Sequence, residues 1–156
     1  MFFTKLGHGI AAGAVGVTVL NAVTYLDMSV RARPASDTPS QAVEKLAGKA
    51  GTDIPGEGNE RDNRLAGMGP LAGIATGVAV GVAAAFARPA LSKIPAPLSA
   101  AILGALAMAA SDGPLAVLGL TDPAKWSAVD WASDIIPHVS YGAAAYATLA
   151  ALNRTA

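Results

Sequence analysis

Four stretches of the chain are apolar on every side, and the charged residues are gathered between them. No Asp, Glu, Lys or Arg occurs from Leu6 to Leu26 or from Leu65 to Ala87. Ile94 to Thr121 carries one such residue, Asp112, and Ile135 to Asn153 has none, with His138 as its titratable side chain. Crossing ~30 Å of hydrocarbon takes ~20 helical residues. The pattern therefore predicts four spans, at about 6–26, 66–87, 97–119 and 134–153. A water-soluble bundle would show a polar face returning every 3.6 residues, and these windows have none. The expected fold is all-α: an integral membrane four-helix bundle forming one domain, 1–156, with a polar loop at 27–65.

Details within the pattern sharpen this picture. The first apolar stretch is long, and Asn21-Ala22-Val23-Thr24-Tyr25 makes a poor small-x-small cleavage site, so it reads as a retained span rather than a signal peptide. In the third window Ser111-Asp112-Gly113-Pro114 interrupts the apolar run, because Pro removes a backbone donor and clashes with the preceding turn. The expectation there is a helix kinked at 111–114 and continuing to Leu120. In the polar loop, Thr38-Pro39-Ser40-Gln41 reads as a capping box opening a short amphipathic helix that ends at Gly48 or Gly51 and lies on the membrane surface. Thr121-Asp122-Pro123 predicts an N-cap and first turn. Trp126 and Trp131 mark a headgroup level just before the last span.

Composition agrees and narrows the function classes. Hydrophobic residues make up 53% of the 156, charged residues 14%, and mean hydropathy is +0.44. That is too apolar for a disordered chain. Net charge is zero, so no global basic field points to nucleic acid. The absence of cysteine excludes disulfide scaffolds, zinc–thiolate sites and Cys nucleophiles. No phosphate-cradling Gly loop with Lys, HExxH or Gly-x-Ser-x-Gly is present. No metal or cofactor is expected, and His8 and His138, which fall toward opposite sides of a bilayer, do not make a haem-ligating pair. With four spans, the termini and the 88–96 connection share one side, which holds Lys5, Arg88, Lys93 and Arg154. The other side holds seven basic residues and all eleven acidic ones. The Lys and Arg count puts the long loop in the cytoplasm, while net charge argues the reverse.

Three groups of residues carry candidate functions. Gly69, Gly73, Gly77 and Gly81 form an i, i+4 ladder that lets helix backbones approach closely, within the bundle or between copies. Gly9, Gly13, Ala12 and Gly16 repeat the theme in the first span, as do Ser140, Ala144 and Thr148 in the fourth. Asp130, Asp134 and His138 are spaced by four, with Tyr141 three further on, so a helix sets them on one stripe. Ionisable groups at membrane depth often mark proton or ion paths, and Asp112 joins this set, with Arg31, Arg33 or His138 as its possible partner. The bland alternative has Asp130 and Asp134 at a helix N-terminus, favoured by the dipole. Arg31 and Arg33, directly after the first span, read as contacts to anionic lipid.

The stretches Leu20–Asp27, Arg31-Ala32-Arg33-Pro34-Ala35-Ser36 and Gly119-Leu120-Thr121-Asp122-Pro123, with Asp130-Trp131, Pro137-His138 and Tyr141-Gly142, resemble small integral membrane proteins of high-GC actinobacteria. The Gly-Leu-Thr-Asp-Pro stretch and the small-residue helices are also similar to the YagU-like inner-membrane family. The resemblance implies a multi-pass protein of the cell inner membrane and assigns no catalytic residues. The first functional expectation is a non-enzymatic membrane protein that packs with itself, as a homo-oligomer, or with a larger membrane complex, its surroundings being the lipid bilayer. The alternatives are a small proton- or ion-conducting protein using Asp112, Asp134 and His138, and a lipid-modifying enzyme using Asp130, Asp134 and His138.

Overall fold

The computed structural model describes residues 1–154, and among them the chain is helical throughout its regular structure. The elements are α1 (Phe2–Arg31), α2 (Thr38–Lys49), α3 (Gly58–Leu91), α4 (Ala96–Val117), a 3-10 turn at Pro123–Lys125, and α5 (Ala128–Leu152). Four of them, α1, α3, α4 and α5, are long and apolar enough to cross a membrane. Large apolar side chains cover their outside: Leu26, Val30, Leu71, Leu106 and Ile136 are all exposed. A soluble monomer rarely presents so much contiguous apolar surface, and lipid is the solvent that accommodates it. The chain is a multi-pass helical membrane protein.

The helices overrun the apolar windows. At 1.5 Å per residue α1 and α3 reach ~45 and ~51 Å, more than a bilayer's ~30 Å, so their polar ends project or the helices tilt. As expected, α4 continues through Ser111–Pro114, with Pro114 inside the helix, but it stops at Val117 instead of Leu120. The stop is a glycine cap: Gly119 takes φ +67°, the Leu120 N–H reaches Leu115 O at 2.9 Å, and the Gly119 N–H reaches Ala116 O at 2.9 Å.

The capping box expected at Thr38 is absent. Asp37 is the N-cap of α2, without a side-chain cap bond, and Gln41 turns back to Asp37 Oδ2 at 2.8 Å. α2 packs against the start of α3. Ser40 Oγ donates to Leu65 O at 3.0 Å, Arg61 pairs with Glu44 at 2.6 Å, and the Lys45 ammonium donates to Leu118 O. The short helix thus ties the start of α3 to the end of α4. A capping box does form at α5, between Ser127 and Asp130.

Neighbours in the bundle follow the order α3, α1, α5, α4, with α3 and α4 also meeting beside their short connection. There, buried Ser99 donates to Leu91 O at 2.8 Å. Glycine sets both tight crossings. A Cβ on Gly81 would lie 2.5 Å from Gly13 Cα, and one on Gly9 would lie 2.5 Å from Val82 Cα, so α1 and α3 touch backbone to backbone. Gly104 and Gly142 do the same for α4 and α5: a Cβ on Gly142 would meet Gly104 N at 2.5 Å. Ala12, Ala84, Ala85, Leu103, Tyr141, Ala145 and Leu149 fill the core between these crossings.

Candidate functional site: a carboxylate–histidine cluster between α4 and α5

The polar residues of the third and fourth spans meet on one seam. His138 is the eleventh residue of α5, which puts it ~15 Å along the helix axis from Ala128. Its Nδ1 lies 2.8 Å from the backbone carbonyl of Asp134 and 3.4 Å from Asp134 Oδ1. A proton on Nδ1 satisfies the carbonyl, which leaves Nε2 as the free nitrogen of the neutral ring. Nε2 faces Ser111 Oγ of α4 at 3.3 Å. Ser111 already donates within its own helix, to Met108 O at 3.0 Å or Ala107 O at 3.2 Å. The hydroxyl oxygen can therefore accept from a protonated Nε2, and the geometry accommodates both charge states of the imidazole.

Asp112 follows Ser111 and lies beside both Asp134 and His138. The two carboxyls face each other within hydrogen-bond reach, and Oδ2 of each is buried with no N–H or O–H donor beside it. A buried polar atom of this kind is costly unless it is protonated or paired. Two carboxyl groups and an imidazole thus share a small space, with the His138 side chain 11% exposed and that of Asp134 24% exposed. Two prolines flank the cluster. Pro114 leaves the carbonyl of Ala110 without its usual i+4 donor, and Pro137 does the same for Ser133.

An open groove of about 210 Å³ leads to Asp112 from outside. Its lining is Ala105, Met108, Ala109, Asp112, Pro123, Trp126 and Trp131. The two indoles meet edge to face with centroids 4.9 Å apart, and Trp126 Nε1 donates to Thr121 Oγ1 at 2.9 Å. In the other direction the seam is closed. Past His138, a Cβ on Gly104 would strike the His138 carbonyl oxygen at 2.7 Å and Val139 Cα at 3.0 Å. The groove opens toward the end of the bundle that carries the long loop, and its surface is almost wholly apolar.

The remaining sequence-based candidates separate from this cluster. Asp130 is not part of it. Its carboxylate accepts from the Ser127 N–H at 2.9 Å and from Ser127 Oγ at 2.7 Å, so it caps its own helix. Tyr141 also turns away. Its hydroxyl donates to Gly77 O of α3 at 2.6 Å, and its ring fills the space where Gly16 lacks a side chain. The expected stripe Asp130–Asp134–His138–Tyr141 therefore splits three ways, and an acid–base set built on Asp130, Asp134 and His138 is not assembled. Among the described residues no three His, Cys, Asp or Glu side chains are grouped closely enough to hold a metal ion.

The glycine ladder also divides. Gly77 and Gly81 pack on α1 and Gly69 on the start of α2, while Gly73 faces open space. Arg31 and Arg33 both bind Asp27, at 3.2 and 2.5 Å, and Arg31 also donates to Ser133 Oγ. Neither arginine reaches Asp112. The sequence reading did not single out Ser111 as a partner of His138, the Gly104–Gly142 crossing, or Arg88. The guanidinium of Arg88 lies 5.3 Å over the Tyr146 ring, with Nε and Nη1 buried and unpartnered. A Ser within a turn of an intramembrane Asp was the available signal for the first of these. No family model, curated protein or solved structure matches the chain.

Proposed function

We propose that this membrane protein takes up and releases protons at the Asp112–Asp134–His138 cluster, as part of proton or ion movement across the bilayer. One observation carries the reading: two aspartate carboxyls on facing transmembrane helices stand within reach of one another and next to a histidine, with no other donor at either Oδ2, so that a proton shared between them satisfies the pair. This arrangement leaves room for a proton to come and go, and ionisable groups held in lipid at such cost mark ion or proton routes. The Gly104 crossing closes the seam past His138 and the carboxyl oxygens are buried, so transit requires a second conformation or a neighbouring chain.

The test is flux. Proteoliposomes holding a pH-sensitive dye, driven by a potassium diffusion potential, should acidify faster than empty liposomes. Asp112→Asn and His138→Ala should each reduce the difference at least tenfold. Wild-type flux equal to that of empty liposomes, together with no titrating carboxyl band in infrared spectra, would overturn the reading.

A second reading, assembly with another copy or with a larger membrane complex, is favoured by Gly73. It extends the ladder yet has nothing within 4 Å, and Leu71 and Ile74 beside it are exposed. Crosslinking in native membranes that disappears in Gly73→Leu would support it. A monomer at all detergent-to-protein ratios would refute it. A cell inner-membrane location belongs with both readings.

A further inference from the structure

The face of α3 that packs into the bundle ends in a charge. Gly81, Ala84 and Ala85 are buried on that face, and Arg88 follows one turn later on the same side. The sequence sets Arg88 directly after the charge-free window 65–87, at the rim of the hydrocarbon. Its guanidinium lies against α5, 5.3 Å over the Tyr146 ring. Nε and Nη1 are buried there with no hydrogen-bond partner, and Nη2, which makes no hydrogen bond either, is the nitrogen left accessible. We infer that Arg88 binds the phosphate of an anionic phospholipid, met at Nη2 from the leaflet opposite the long loop. The site is at the far end of the bundle from Asp112 and is independent of the proton reading.

Charge argues for an anion. A cation held partly out of water is costly unless it is paired. At the loop end, Arg31, Arg33, Arg61, Arg64 and Lys125 each have a carboxylate. At the other end the charged side chains are Lys5, Arg88, Lys93 and Arg154, all basic. The Tyr146 ring attracts the guanidinium but brings no net charge to neutralise it. Among the described residues no carboxylate lies within ion-pair distance of Arg88.

Position argues for a lipid. A guanidinium presents planar donors that match phosphate oxygens, and lipid phosphates already stand at the level where the charge-free window ends. A free phosphate ion would have to leave water to reach the same rim. Acyl chains find apolar surface nearby, since Phe2, Phe3 and Phe86 are exposed at this end. A zwitterionic headgroup carries its own cation beside the phosphate and gains less from Arg88 than an anionic one does.

The full chain in maltoside micelles is melted with increasing dioleoyl phosphatidylglycerol, dioleoyl phosphatidylcholine or inorganic phosphate. A ligand that binds only the folded state raises the melting temperature. Phosphatidylglycerol should do so saturably, and phosphatidylcholine should need about fivefold more to reach the same rise. Millimolar inorganic phosphate should have no effect. In Arg88→Gln the phosphatidylglycerol curve should fall onto the phosphatidylcholine curve, whereas Arg31→Gln should keep the two apart. Arg88→Lys retains the charge without the planar fork and should keep part of the difference. Each variant is read against its own lipid-free melting temperature, so a less stable variant still reports on binding.

Coincident curves for the two lipids in the wild type overturn the inference. So does a preference that survives in Arg88→Gln, which would assign it to Lys5 or Lys93. A rise with inorganic phosphate equal to that with phosphatidylglycerol removes the lipid as the occupant and leaves a free-anion site.

Discussion

Tyr141 shows what one side chain does in this bundle. It is 1% exposed, its ring sits against Gly16 of α1, and its hydroxyl reaches the Gly77 carbonyl of α3. A helix carbonyl normally has its partner within the helix, so the phenol adds a bond that a Phe would lose. Hydrogen bonds of this kind in membranes contribute about 0.6–1.7 kcal/mol. Tyr141→Phe should therefore lower thermal stability in detergent by that amount and leave flux unchanged, since Tyr141 lies outside the cluster. His138→Ala should do the opposite, with lost flux and a smaller change in melting. If Tyr141→Phe abolished flux, the route would have to include α3. The same scale explains why the stripe Asp130, Asp134, His138 and Tyr141 divides. Spacing by three and four fixes a common side of the helix, and the partners on neighbouring helices differ along its length.

At the scale of elements, the glycines separate by what they touch. Gly81 against Gly13 and Gly142 against Gly104 bring backbones together, and dispersion over that contact is what joins helices in lipid. Gly142→Leu should force α4 from α5 and give an aggregated or broadened peak in size-exclusion chromatography. Gly73→Ala should leave the peak in place, because nothing stands within 4 Å of it. It should raise the melting temperature, since glycine inside a helix is less favourable than alanine by roughly 0.5–1 kcal/mol. Similar damage from both changes would mean that α3 carries a second interface. The ladder was legible in the sequence, but the division of labour along it was not, because four glycines at i, i+4 look alike until the facing helix is known. α4 makes the same point about local signals. Pro114 sits in the last turn, where its missing donor disturbs little, and Gly119 ends the helix instead.

For the whole molecule the dominant feature is charge asymmetry. On the loop end Arg31, Arg33, Arg61, Arg64 and Lys125 are all paired with carboxylates. On the other end Lys5 and Arg88 lie against rings of Phe86 and Tyr146, and that end has no acidic side chain. The expected anionic-lipid contact at Arg31 and Arg33 is thus compensated by Asp27, and uncompensated positive charge collects around Arg88. Native mass spectrometry of protein released from mixed phosphatidylcholine and phosphatidylglycerol should show retained phosphatidylglycerol. Arg88→Gln should reduce retention several-fold and Arg31→Gln should not. The reverse result would restore the lipid role to the loop end.

The number of spans, their order and the lipid environment follow from the sequence alone, because burying a charge in hydrocarbon is so unfavourable that charge-free windows of ~20 residues declare themselves. The meeting of Asp112 with Asp134 and His138 was also foreshadowed, since each needs a polar neighbour at that depth. Which neighbour it finds was decided by the tertiary structure. The Gly104–Gly142 crossing sets α4 against α5 in one register and brings Ser111 to His138, while Ser127 captures Asp130 and Asp27 captures both arginines. Helix packing in lipid is short-ranged and turns on shape. The groove beneath the two tryptophans therefore exists only once α4, α5 and the connection between them are in place.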